Sequence, residues 1–137
     1  MATFSFYISG EPVAKARPRF SNGRAYTPRK TTEWENTVRR VVRKRLPENW
    51  KPWEGEVSIA LVFNMKIPKS TTKKRKEEMH THTVKHSKRP DLDNLVKAIL
   101  DGLNGVAYVD DGQVTDIYSS KRYADEPGVL IVLFFNN

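Results

Sequence analysis

From Leu92 to Leu103 the apolar residues Leu92, Leu95, Val96, Ile99, Leu100 and Leu103 fall at i, i+3, i+4, i+7, i+8 and i+11. That spacing requires a helix with one continuous buried face, so residues 92–103 must lie on an apolar layer built elsewhere in the chain. Gly102, Asn104 and Gly105 end the pattern. Strands supply the layer. Phe4, Phe6 and Ile8 alternate with Thr3, Ser5 and Tyr7, and Val57, Ile59, Leu61, Phe63 and Met65 alternate strictly within 56–65. Val114–Lys121 and Val129–Phe135 read as two more strands, the last as a buried core strand. A second helix is expected over 32–46. There Trp34, Val38, Val41, Val42 and Leu46 recur at helical spacing up to Pro47, and Thr32 with Glu35 fits a capping box.

Composition narrows the chemistry. The 137 residues fit one domain, 1–137. Cysteine is absent, which excludes disulfide scaffolds, thiolate metal sites and cysteine nucleophiles. No apolar run approaches the ~20 residues of a membrane span and no signal sequence opens the chain, so a soluble, cytoplasmic protein is expected. The net charge of +8 is uneven. Residues 1–65 carry 12 basic and 6 acidic side chains, residues 66–90 carry 9 and 2, and residues 91–137 carry 3 and 8. A polyanion drawn to the first two segments would be led toward the acidic third.

The basic segments look made for nucleic acid. Lys15, Arg17, Arg19, Arg24, Arg29 and Lys30 stand among Phe20, Tyr26, Pro18, Pro28 and Gly23 in what reads as a loop suited to phosphate contact and to packing on bases or sugars. Residues 66–90 add Lys69, Lys73, Lys74, Arg75, Lys76, Lys85, Lys88 and Arg89. Thr71 or Thr72 is placed to cap a short helix ending at Met79, and the remainder reads as an arm lying against substrate. His80, His82 and His86 have no carboxylate or thiolate in register, which argues against a zinc site. Trp50 and Trp53 read as packing residues.

The acids contradict the basic background. Asp91 and Asp93 open the 92–103 helix, where dipole and free N–H groups favour anions, and their simplest role is capping. Capping needs one of them. Lys97 and Asp101 follow at four-residue intervals on the same polar face, and a return segment, Val106–Val109, leads to the turn Asp110-Asp111-Gly112. A return of that kind can bring its acids back to the start of the helix and supply a third ligand. Converging acids repel one another unless a cation neutralises them, and a hard divalent ion such as Mg²⁺ is the usual partner.

The stretch Arg89-Pro90-Asp91-Leu92-Asp93-Asn94-Leu95-Val96-Lys97-Ala98, then Asp101-Gly102-Leu103, then Asp110-Asp111-Gly112-Gln113-Val114, resembles the RusA family of Holliday-junction resolvases, often carried by phages and prophages. Gly10-Glu11-Pro12-Val13-Ala14-Lys15-Ala16-Arg17-Pro18-Arg19-Phe20 resembles the family's opening loop. The resemblance implies an α+β domain, with a mixed sheet of about four strands and two main helices packed on it. It further implies a homodimeric endonuclease that cuts four-way DNA junctions by paired symmetric nicks, using Mg²⁺ or Mn²⁺. By motif position Asp91, Asp93 and Asp111 correspond to the metal-binding catalytic aspartates, and Lys97 to the catalytic lysine. The choice of Asp111 over Asp110 rests on the Asp-Asp-x-Gln-Val context. DNA binding is expected from Lys15, Arg17, Arg19 and Arg24 and from the eight basic residues of 69–89 named above. The alternatives are a non-catalytic basic nucleic-acid-binding protein, whose acids merely cap and turn, and a nuclease acting on other branched DNA.

Overall fold

A computed structural model describes residues 2–136. Its elements are β1 (Ala2–Ser9), β2 (Arg19–Ser21), β3 (Arg24–Tyr26), α1 (Arg29–Arg45), β4 (Val57–Lys66), α2 (Lys73–His80), α3 (Leu92–Leu103), a 3-10 turn (Asp111–Gln113), β5 (Val114–Ala124) and β6 (Gly128–Phe135). Four strands form one mixed sheet in the order β1-β6-β4-β5. β6 runs antiparallel to both β1 and β4, whereas β4 and β5 are parallel. A parallel pair needs a crossover, and here the crossover carries α2, α3 and the acidic turn. The acids therefore enter the fold on the connection that crosses the sheet's helical face.

α1 and α3 pack against each other over that face. Their apolar stripes, Val38 and Val42 on α1 and Leu95, Ile99 and Leu103 on α3, are fully buried against Leu61, Phe63, Val129, Ile131 and Leu133. Each such side chain contributes about 1.5–3 kcal/mol of transfer free energy. Gly102 lets the helices approach, since a Cβ there would stand 3.0 Å from the Val38 side chain. Trp50 and Trp53 stack on each other and tilt against Phe135, as packing residues.

Two expectations need correction. α1 starts at Arg29 rather than Thr32 and has no side-chain cap, so the Thr32–Glu35 capping box does not form. Glu35 instead ion-pairs with Lys15, and Thr31 turns inward to donate to Ala14 O and accept from Ala16 N. Second, part of the basic loop 15–30 is a two-stranded hairpin: Asn22 and Gly23 both take positive φ, 51° and 75°, as a tight primed turn requires. β6 is the expected buried core strand, central in the sheet. Val129, Ile131, Leu133 and Phe135 point to the helices, while Leu130, Val132 and Phe134 lie on a sheet face that no helix covers.

The segment 66–90 is more structured than an arm. Thr72 caps α2 by accepting from Arg75 N at 3.3 Å, and Met79 packs with Ile67, Tyr123 and Val84 in a small satellite core.

Candidate active site

α3 fixes the first two acids. Asp91 occupies the N-cap position, yet its side chain accepts no capping hydrogen bond; Asp93 Oδ1 accepts only from the neighbouring Asn94 N, at 2.9 Å. Neither carboxylate is thus spent on capping, the role their position suggested. Both are exposed at the positive end of the helix. Two contacts hold this end in place. Lys15 N donates to Asn94 O at 2.8 Å, and Lys121 Nζ donates to Lys88 O and Pro90 O at 2.7 and 2.9 Å, clamping the chain just before Asp91. The resulting cleft is lined by Lys15, Arg17, Arg89, Asp91, Asp93 and Asn94.

One turn along α3, charges alternate in a chain. Glu35 Oε2 meets Lys15 Nζ at 2.8 Å, Lys15 meets Asp101 Oδ2 at 3.1 Å, Asp101 Oδ1 meets Lys97 Nζ at 3.1 Å, and Lys97 lies 3.6 Å from Asp111 Oδ2. Hydrogen bonding to Asp101, reinforced by the Asp101 and Asp111 charges, holds the Lys97 ammonium above its ordinary pKa. For Lys15 burial opposes the charge, but hydrogen bonds to Glu35 and Asp101 outweigh it and the pKa is raised. Lys97 is therefore a fixed cation beside Asp111, and Lys15 is already engaged by two carboxylates. Tyr108 lies underneath, fully buried and donating to Leu100 O at 2.9 Å; burial, with the nearby Asp111, Asp101 and Asp110 charges, pushes its ionisation far up.

The acidic turn divides its labour. Asp110 Oδ2 accepts from Gly112 N at 2.9 Å, and Gln113 Oε1 accepts from Asp110 N at 2.8 Å, a reciprocal capping box. Gln113 Nε2 also donates to Trp53 O and Gly55 O, tying the turn to the segment before β4. Asp110 is thus committed to the backbone, whereas Asp111 faces Lys97.

The chemistry of the donors suits a hard cation, because Asp91, Asp93 and Asp111 offer carboxylate oxygens with few competing partners. They do not form a ready-made cage: among the described residues no three acidic or histidine side chains stand together as a metal site. The histidines serve elsewhere. His80 Nε2 lies 2.8 Å from Asp125, and His86 packs on Tyr123, where burial and the Lys121 and Lys88 charges lower its pKa.

Of the basic residues singled out, Arg17, Arg19 and Arg24 are exposed around the cleft and hairpin. Lys69, Lys73, Lys74, Arg75, Lys85, Lys88 and Arg89 are exposed and Lys76 half-buried along α2 and its flanks. Glu35 and Lys121 were not legible as site residues. Glu35 carried a capping signal instead, and Lys121 carried none beyond its charge in a strand.

Comparison with known proteins agrees with this architecture. The profile of the family described as endodeoxyribonuclease RusA matches residues 9–133, nearly the whole chain. A Bacillus subtilis (strain 168) protein, named there as uncharacterized protein YqaN, is 36% identical over 97% of this chain and 96% of its own length. The chain belongs to the RusA endodeoxyribonuclease family. The fold is the expected α+β arrangement, a four-stranded mixed sheet with α1 and α3 on it and a third helix, α2, packed against β5. Among the described residues no helix is long and apolar enough to cross a membrane.

Proposed function

We propose that this protein is a metal-dependent resolvase of four-way DNA junctions. The observation that carries the reading is the division within the acidic turn: Asp110 is consumed by its capping box, while Asp111 is held 3.6 Å from Lys97 on the helix that Asp91 and Asp93 open. Membership of an endodeoxyribonuclease family supplies the reaction class. Mg²⁺, or Mn²⁺ in its place, would be held by Asp91, Asp93 and Asp111, supplying Lewis-acid stabilisation and an activated water for attack on phosphorus.

The chain's own residues supply the rest. Lys97, kept charged by Asp101, offsets negative charge growing on the phosphoryl oxygens. Arg17 and Arg89 beside the two aspartates hold a phosphate over the cleft, and the basic row along α2 extends the track for the DNA backbone. Two copies of the chain, related by a twofold axis, would place two such sites on opposing strands of a junction.

The test compares wild type and Asp91→Asn on a labelled four-way junction and on a linear duplex of the same sequence, with Mg²⁺ or with EDTA. Paired nicks in the junction by wild type with Mg²⁺ alone, and retained binding without nicking by Asp91→Asn, are expected. Junction binding by wild type without cutting under any divalent ion would leave the chain a non-catalytic binder. Faster cutting of flaps or forks than of four-way junctions would move the substrate to other branched DNA.

A further inference from the structure

The hairpin β2–β3 is built in a way that packing within the chain does not explain. Its strands pair with each other and make no more than glancing contact with any other element. A two-stranded ribbon alone is marginal in water, and this one carries an aromatic side chain into solvent: Phe20 is 77% exposed. In the ladder Arg19 stands opposite Tyr26, Ser21 opposite Arg24, and Phe20 opposite Ala25. Opposed residues share a face, so the phenyl ring stands alone over a methyl group, while the other face carries Arg19, Arg24 and Tyr26. The Asn22-Gly23 turn makes the ribbon tight, which holds the ring rather than letting it collapse onto the surface.

The placement is equally particular. Arg17, three residues before Phe20, lines the cleft with Asp91 and Asp93. The stem just before it is pinned, by Lys15 N to Asn94 O at 2.8 Å and by Thr31 to Ala14 and Ala16. Three extended residues span about 10 Å, or about three nucleotides at the 3.4 Å rise of one DNA strand. The ring therefore lies within a few nucleotides of any phosphate seated over the acids. A lone exposed phenylalanine is ordinary. One on a cationic ribbon, pinned next to such a cleft, has the makings of a stacking platform.

We propose that β2–β3 is a base-stacking element: Phe20 stacks on an unpaired or unstacked base of the bound DNA, next to the phosphate that Arg17 meets in the cleft. The inference rests on DNA being the ligand of the cleft. It makes the hairpin the feature that distinguishes distorted from regular DNA, because a base inside an intact duplex offers the ring no open face.

The experiment is read in EDTA, so that stacking and cleavage are separated. Wild type, Phe20→Ala and Phe20→Trp bind a four-way junction carrying 2-aminopurine at positions next to the crossover, with affinity measured at several salt concentrations. A 2-aminopurine stacked between bases is quenched by them and a phenyl ring quenches little, so its fluorescence rises when wild type moves the base from the DNA stack onto Phe20. Phe20→Ala is expected to lose that rise and to bind about tenfold more weakly, as loss of one base–aromatic contact implies. Its salt slope stays that of wild type, because no cation is removed. Phe20→Trp restores the affinity. Because the ring is 77% exposed, the three proteins melt together. Phe20→Ala matching wild type in affinity and fluorescence overturns the proposal, as does Phe20→Trp binding as weakly as Phe20→Ala. Wild type that shows the fluorescence rise but never cuts with Mg²⁺ supports the stacking role while refuting the nuclease reading.

Discussion

Asp101 joins the acids of α3 to the rest of the molecule, and its loss has a calculable cost. One oxygen meets Lys15 at 3.1 Å and the other meets Lys97 at 3.1 Å, in a side chain only 17% exposed. Asp101→Asn keeps the shape but replaces two charge-assisted contacts by at most one neutral acceptor. Hydrogen bonds to charged groups are worth about 1.5–3 kcal/mol and neutral ones about 0.5–1.5. Lys97 is half exposed, so its share is discounted toward the surface ion-pair range of about 0.2–1 kcal/mol. Lys15 keeps Glu35 at 2.8 Å, which limits the damage there. The sum is a destabilisation of about 2 kcal/mol, or roughly 6 °C in Tm for a domain of this size. Thermal melting with circular dichroism reads it. A second signature separates this network from generic destabilisation. The double variant with Glu35→Gln should lose more than the two single changes together, because Lys15 is then left without either carboxylate. A Tm within a degree of wild type for Asp101→Asn, or strict additivity in the double variant, would refute the reasoning.

Gly102→Ala should destabilise by about 1–3 kcal/mol despite alanine's better helix propensity, because the new Cβ meets Val38 at 3.0 Å; denaturant unfolding checks it, and a gain in stability would show that α1 shifts freely. Burial, followed by the Lys121 charge, depresses the folded pKa of His86 below its ordinary 6.5, so the stability it contributes is present above about 6.5 and is lost as pH falls through the lowered value. Melting wild type and His86→Gln at pH 7.5 and 5.0 should show the smaller acid loss in the variant. Replacing Lys73, Lys74 and Arg75 together by glutamine should weaken junction binding and flatten its dependence on salt; an unchanged slope would remove α2 from the DNA track.

The extent to which the fold was legible follows from what each signal measures. α3 coincides with the expected 92–103 because its periodicity is intrinsic to one buried face. α1 departs at its start because a local capping signal competed with a partner twenty residues away: Lys15 draws off Glu35 and the loop 14–16 draws Thr31 inward. The hairpin escaped the loop assignment because neither strand has a buried face, so periodicity is mute there; the Asn22-Gly23 dipeptide was its one readable mark. β6 was legible as a buried core strand. Its unbroken apolar run does not say which face is buried, and the helices cover one. At the site, spacing placed Asp91, Asp93, Lys97 and Asp101 on a single helix, but it could not say which carboxylate of the pair at 110–111 was committed to the backbone. Only the hydrogen bonds of Gly112 and Gln113 separate them.

That separation gives the most direct test of the account. Wild type, Asp111→Asn and Asp110→Asn are incubated with the same labelled four-way junction and Mg²⁺, nicks are mapped on every strand, and binding is measured alongside. Paired nicks that vanish with EDTA are expected from wild type. Asp111→Asn should bind the junction and melt like wild type but cut it orders of magnitude more slowly, whereas Asp110→Asn should melt lower and keep most of its cutting rate. An Asp111→Asn protein that nicks as fast as wild type, or wild-type cutting that survives EDTA, would contradict the account.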